Sequence, residues 1–187
     1  MRIQLLLVAI LMNILFSTAS FGQQIEEGIT VIEVSSTEDD RIYYMDAVIE
    51  TRLPEYIVQA IYNGIPLPLL LQIEVNELNN WWLDKTLVTI EQQYILHYFP
   101  LFDSFRLDNL TDGSSVALGS FNAVFNKIGT INHFPILDKE HFSNSHEITA
   151  RIRLKVDETG LPKPLRTESL LGGSWDISSD WKEWVVR

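Results

Sequence analysis

Ile148-Thr-Ala-Arg-Ile-Arg-Leu-Lys-Val156 alternates without a break, with Ile148, Ala150, Ile152, Leu154 and Val156 on one parity and Thr149, Arg151, Arg153 and Lys155 on the other. A period of two belongs to a strand with one dry face and one wet face. Leu67, Leu69, Leu71, Ile73 and Val75 repeat the pattern against Pro68, Leu70, Gln72, Glu74 and Asn76. Charged side chains stay in water, so the even positions of the first strand and the odd positions of the second should face the core. If the two are neighbours, Glu74 can pair across them with Arg151 or Arg153, worth some tenths to about 1 kcal/mol.

Working outward, Ile29–Val34 and Arg41–Thr51 are rich in Ile, Val and Tyr and predict a hairpin joined through Ser35-Ser-Thr-Glu-Asp-Asp40. Leu53-Pro54-Glu55 opens a short helix, with Pro54 at its first position, Ile57, Val58 and Ile61 on one face and Asn63-Gly64 as its stop. Trp81–Gln92 and Tyr94–Phe99 read as a long strand and its continuation. Ser104–Leu107 and Ser115–Leu118 flank an Asp112-Gly113 turn. A second short helix, Phe121–Ile128, is capped by Ser120 and stopped by Gly129. Antiparallel strands with two short helices predict a mostly β fold, an antiparallel β-sandwich or a strongly curved sheet. An α+β layer fold is the alternative. No repeat or long linker divides the chain.

Met1-Arg2, an apolar run from Leu5 to Phe16 and small residues from Ser17 to Gly22 have the layout of a secretory signal over residues 1–22, with residues 23–187 as one domain. An uncleaved inner-membrane anchor is the alternative, and membrane contact is expected only in that case. The chain has no cysteine, which excludes disulfides, thiolate metal sites and a cysteine nucleophile. A domain of about 165 residues can fold without such staples. Export without cysteine fits the periplasm of a Gram-negative bacterium. The formal net charge is −11, with 13 acidic against 3 basic residues from Gln23 to Pro100 and 12 against 10 from Leu101 to Arg187. Nucleic acid is therefore not an expected partner, because its recognition rests on Lys and Arg neutralising phosphate.

The tail carries the most specific pattern. Leu161-Pro-Lys-Pro-Leu-Arg166 is followed by Trp175-Asp-Ile-Ser-Ser-Asp-Trp181-Lys-Glu-Trp184. It resembles the end of the DUF4390 family of exported, uncharacterised bacterial proteins, in which a Leu-Pro-x-Pro-Leu-Arg run precedes Trp-x-x-x-Ser-x-Trp-x-x-Trp. Asn63-Gly64-Ile65-Pro66-Leu67, Trp81-Trp82-Leu83-Asp84 and the aromatic stretch Tyr94–Leu107 are similar to other parts of that family, so the resemblance runs from about Val31 to Val185. The resemblance implies export, a single domain and no assigned activity, and it suggests a setting beside an envelope sensor kinase. Where the family commonly has a basic residue near Glu77 and Asn79, this chain is acidic or amide.

Five tryptophans and one arginine are the candidate binding residues. On a continuous strand Trp175 and Trp181 would share a face and Trp184 would take the other. Trp81 and Trp82 would split in the same way. Such rings either fill a core or form a stacking platform. Arg166, directly after two prolines, suits the pinning of an extended segment. His133, His141 and His146, with carboxylates interspersed, are weak metal candidates, since imidazole and carboxylate suit Zn or Mn but the spacing lacks a helical or short-loop pair. No nucleophile-elbow or phosphate-cradling motif is present. The expected function is a non-enzymatic envelope module, without cofactor, that binds a protein or small ligand. A metal-assisted enzyme using the histidine loop is the alternative.

Overall fold

The structure is a computed structural model and describes residues 27–78, 85–141, 147–161 and 174–187. Its strands form two antiparallel sheets. The smaller has the order β1 (Gly28–Asp39), β2 (Ile42–Arg52), β7 (Thr130–Asp138). The larger runs β6 (Ser115–Leu118), β5 (Ser104–Asn109), β4 (Lys85–Phe99), β3 (Leu67–Glu77), β8 (Ile148–Val156), β9 (Lys182–Val185). Helix α1 (Glu55–Tyr62) links β2 to β3, and α2 (Phe121–Gly129) links β6 to β7. The architecture is mostly β and sandwich-like, and both sheets and both helices contribute to one apolar cluster.

The β3–β8 pair is its centre. Leu69↔Val156, Leu71↔Leu154, Ile73↔Ile152 and Val75↔Ala150 stand opposite one another, and all eight side chains are buried. The expected inward parity holds for every core position, and the outer face is also covered at Pro68, Leu70 and Thr149. On the outer face Glu74 lies opposite Arg151, whose Nε and Nη2 both donate to Glu74 Oε2 at 2.9 and 2.6 Å. Gln72 Oε1 accepts from Arg153 Nε at 2.8 Å, and Gln72 Nε2 donates to Glu91 Oε1 at 2.7 Å. Of the two arginines, Arg151 is thus the partner of Glu74.

Several elements differ from expectation. Apart from a bulge at Ile32, the β1–β2 hairpin pairs to Asp39↔Ile42, so Ser35–Asp39 is strand and only Asp40-Arg41 turns, with Asp40 at φ 56°. An edge strand with polar residues can still pair through its backbone. Pro54 lies just outside α1, at ψ 144°. α2 begins as expected, its Ser120 Oγ accepting from Ala123 N–H at 3.2 Å. The helix ends at Gly129 as expected, though without a positive φ. This glycine also gives clearance: a Cβ there would sit 2.2 Å from the carbonyl oxygen of Ile49 on β2. β7 was not foreseen, because His133 and Pro135 break its alternation.

The tail is less regular than one strand from Trp175 to Val186. Ser178 makes an isolated bridge to Lys155 on β8, and a regular ladder with β8 is confined to Lys182–Val185. Trp175 is buried in the core, and Ser179 Oγ accepts from Leu154 N–H at 3.2 Å. The irregular stretch resets the parity. Trp184, opposite Ala150, packs toward the core, while Trp181 lies on the outer face against Arg151 and Arg153.

Two outcomes test this packing. Gly129→Ala should lower stability by about 2 kcal/mol in urea unfolding, since the clash is with backbone that cannot rotate away; an unchanged midpoint would refute the close approach. A chain ending before Ser174 should lose cooperative melting, because it uncovers the core side of β8.

Candidate functional site

The two sheets are closed along one seam and open along the other. At the closed seam Arg187 N–H donates to Ser36 Oγ on β1 at 3.2 Å, just past the Val186 N–H to Ile148 O bond that ends the β8–β9 pairing. At the opposite seam the edge strands β6 and β7 leave a cleft of about 370 Å³. That is within the rough 300–1,000 Å³ span of small-molecule sites. Its floor is apolar, with Leu71, Leu107 and Phe134, and its walls carry Tyr94, Asn109, Asp112 and Lys127.

Local turn chemistry positions this polar set. Asn109 Oδ1 accepts from Thr111 N–H at 2.8 Å, Asp112 Oδ1 from Ser114 N–H at 2.7 Å, and Gly113, at φ 75°, returns its N–H to Asn109 O at 2.9 Å. The turn is tied back to β4, since Thr111 Oγ1 accepts from Gln93 N–H at 2.9 Å. Asn109 Nδ2 donates to Gln92 Oε1 at 3.3 Å. Bonds from Ser114 hold the Asp112 carboxyl below its ordinary range, so it is a carboxylate at neutral pH. Burial, reinforced by the Asp112 charge, pushes the Tyr94 phenol up and keeps it a hydrogen-bond donor. The walls thus present phenol and amide donors, amide and carboxylate acceptors and one ammonium above an apolar floor, a lining that suits a ligand with hydroxyl or amide groups on one side.

The residues singled out from sequence do not converge on this cleft. Trp175 is core, Trp184 packs beneath β8–β9, and its Nε1 has no hydrogen-bond partner among the described residues. Trp181 packs against two guanidinium groups, with Arg151 Cζ at 4.5 Å and Arg153 Cζ at 4.4 Å from its ring centre, so its ring is engaged within the chain. Trp81, Trp82, Arg166 and His146 lie outside the described residues, as does the side chain of His141.

His133 is not in a loop. It sits in β7 at φ 51°, where the register against β2 slips between Met45↔Phe134 and Ala47↔Ile131. Its N–H donates to Asp46 Oδ1 at 2.9 Å and its ring stacks on Tyr44 at 3.8 Å, 6° from parallel. Among the described residues no group of three or more His, Asp and Glu could hold a metal ion. The cleft residues were legible only as a turn: Asn109-Leu-Thr-Asp-Gly113 reads as turn chemistry, but nothing local shows that β7 faces it.

His97 supplies a pH prediction. On β4 it stands opposite Arg106, its Nε2 3.6 Å from Asp108 Oδ2. Burial lowers its pKa below the ordinary 6.5, Asp108 opposes this and Arg106 adds to it. The fold therefore favours neutral imidazole, and that contribution is intact above 6.5 and is lost as pH falls below it. The depressed carboxyls Glu38, Asp108 and Asp112 act lower, below ordinary values of 4.5 and 3.8. His97→Gln should thus flatten the decline in urea midpoint between about pH 7.5 and pH 5; a slope equal to the parent's would contradict it.

Among the described residues no helix is long and apolar enough to cross a membrane. No curated protein and no solved structure matches the chain significantly. A family model, described as a domain of unknown function, matches residues 26–185, and with most of its length covered, both sheets included, the chain belongs to the DUF4390 family.

Proposed function

We propose that this protein is a non-enzymatic binding module of the bacterial cell envelope, exported to the periplasm through residues 1–22. It takes a small polar envelope ligand, or a short segment of a partner protein, in the cleft between β6 and β7. One observation carries this: the open seam of the sandwich is floored by apolar side chains and walled by Tyr94, Asn109, Asp112 and Lys127, the first three of which the turn and burial fix before any ligand arrives. Preorganised polar groups over an apolar floor lower the ordering cost of binding. Export is supported by the leader pattern and by the absence of cysteine. A link to an envelope sensor kinase would make ligand occupancy of the cleft the signal.

The test is a two-dimensional amide NMR titration with N-acetylated amino sugars and with short neutral peptides. Shifts should cluster on Gln92–Tyr94, Asn109–Ser114 and Asn132, and Tyr94→Phe should weaken the binding about fivefold, the share of one hydrogen bond of about 1 kcal/mol. No shift with either probe class, or shifts confined to other surfaces, would overturn the assignment of the cleft.

A further inference from the structure

β4 and β5 pair to their ends at Phe99↔Ser104 and close through Pro100-Leu101-Phe102-Asp103. Leu101 is 87% and Phe102 74% exposed, the most exposed large apolar side chains among the described residues. The tip that carries them is held in shape. Asp103 takes a left-handed φ of 43°, and its Oδ1 accepts from Tyr98 OH at 2.8 Å. A rigid bend is therefore maintained, with a non-glycine residue in a strained conformation, to present two adjacent apolar groups to solvent.

Behind the tip the chemistry is layered. Tyr62, itself exposed, meets Tyr98 edge to face at 4.8 Å, and the Arg106 guanidinium lies 5.1 Å from the Phe99 ring centre. Apolar groups at the extremity with amphipathic tyrosines behind them follow the order of a bilayer from acyl chains to interface, while Arg106, whose Nε donates to Asp108 Oδ2 at 3.1 Å, stays paired within the chain. The tip is convex and its backbone is paired within the hairpin, so it offers neither a pocket nor a free strand edge. The apolar run Leu5–Phe16 precedes Gly28 by eleven residues, a length that can extend about 35 Å. A leader retained in a bilayer would keep the domain within that length of the membrane surface.

We propose that the β4–β5 tip is a membrane-contact wedge, in which Leu101 and Phe102 enter the acyl boundary of a phospholipid bilayer. This stands independently of the cleft. With a net charge of −11 the protein is repelled by anionic lipid, so apolar insertion dominates and contact survives high salt.

The lack of cysteine allows a unique reporter. In the full chain, Leu101→Cys labelled with a polarity-sensitive fluorophore should shift to the blue and brighten severalfold on phosphatidylethanolamine–phosphatidylcholine vesicles. The same label at Val48→Cys, exposed on β2, should not respond. Adding Phe102→Ser should remove most of the Leu101→Cys response, and raising salt should leave it in place. Two results would overturn the wedge: vesicle-bound protein whose label at position 101 stays in water, which would mean contact through the leader or another surface, or no response with any vesicle.

Discussion

Everything else in this fold depends on the β3–β8 pairing. Two strands that alternate with opposite parity fix their own register, because a slip of one residue would turn Arg151, Arg153 and Lys155 into the core and Ile152 and Leu154 out to water. That penalty is several times what any single polar contact on the outer face can contribute. The Glu74–Arg151 pair, with side chains 22% and 40% exposed, is partly screened and adds little to the total. It helps select the register that the apolar parity already enforces.

From this pair the sheet grows in both directions, and the two sides fare differently. On the β9 side the tail lies across the seam, with Trp175 filling the core and Arg187 reaching β1. On the β6 side the edge strand is four residues long and α2 bridges to the smaller sheet. A cleft is what remains when a short edge and a helix cannot complete the contact between layers. Gly129 shows how close α2 comes to β2, since no side chain fits between them.

How much of this was legible follows from the range of each interaction. β3 and β8 announce themselves because alternation is local and burial enforces it. Ser120 is legible for the same reason: a cap bonds three residues along. Gly129 reads as the helix stop it is, and only the approach of Ile49, eighty residues earlier, reveals its second role as a clearance. The tail fails at a particular point. Alternation assumes a continuous strand, whereas the chain bridges at Ser178, buries Ser179 and resumes pairing at Lys182, so Trp181 and Trp184 exchange the faces that simple counting assigns. β7 was hidden by its own irregularity, a two-residue bulge at Asn132-His133 followed by Pro135.

That irregularity has a physical use at the open seam. β7 is an edge strand, and an edge of nine residues in regular alternation would be a template for pairing with another chain. Pro135 lacks a donor, and the bulge, held by the Asp46 bond to His133 and the Tyr44 stack, breaks the ladder twice within a few residues. Across the cleft, β6 is too short to nucleate pairing. Both rims are thus protected against strand addition without a covering element, and the seam can stay open. A sandwich that left a regular edge exposed there would have to close it or aggregate; one with two blunted edges can keep side chains such as Tyr94 and Asn109 accessible.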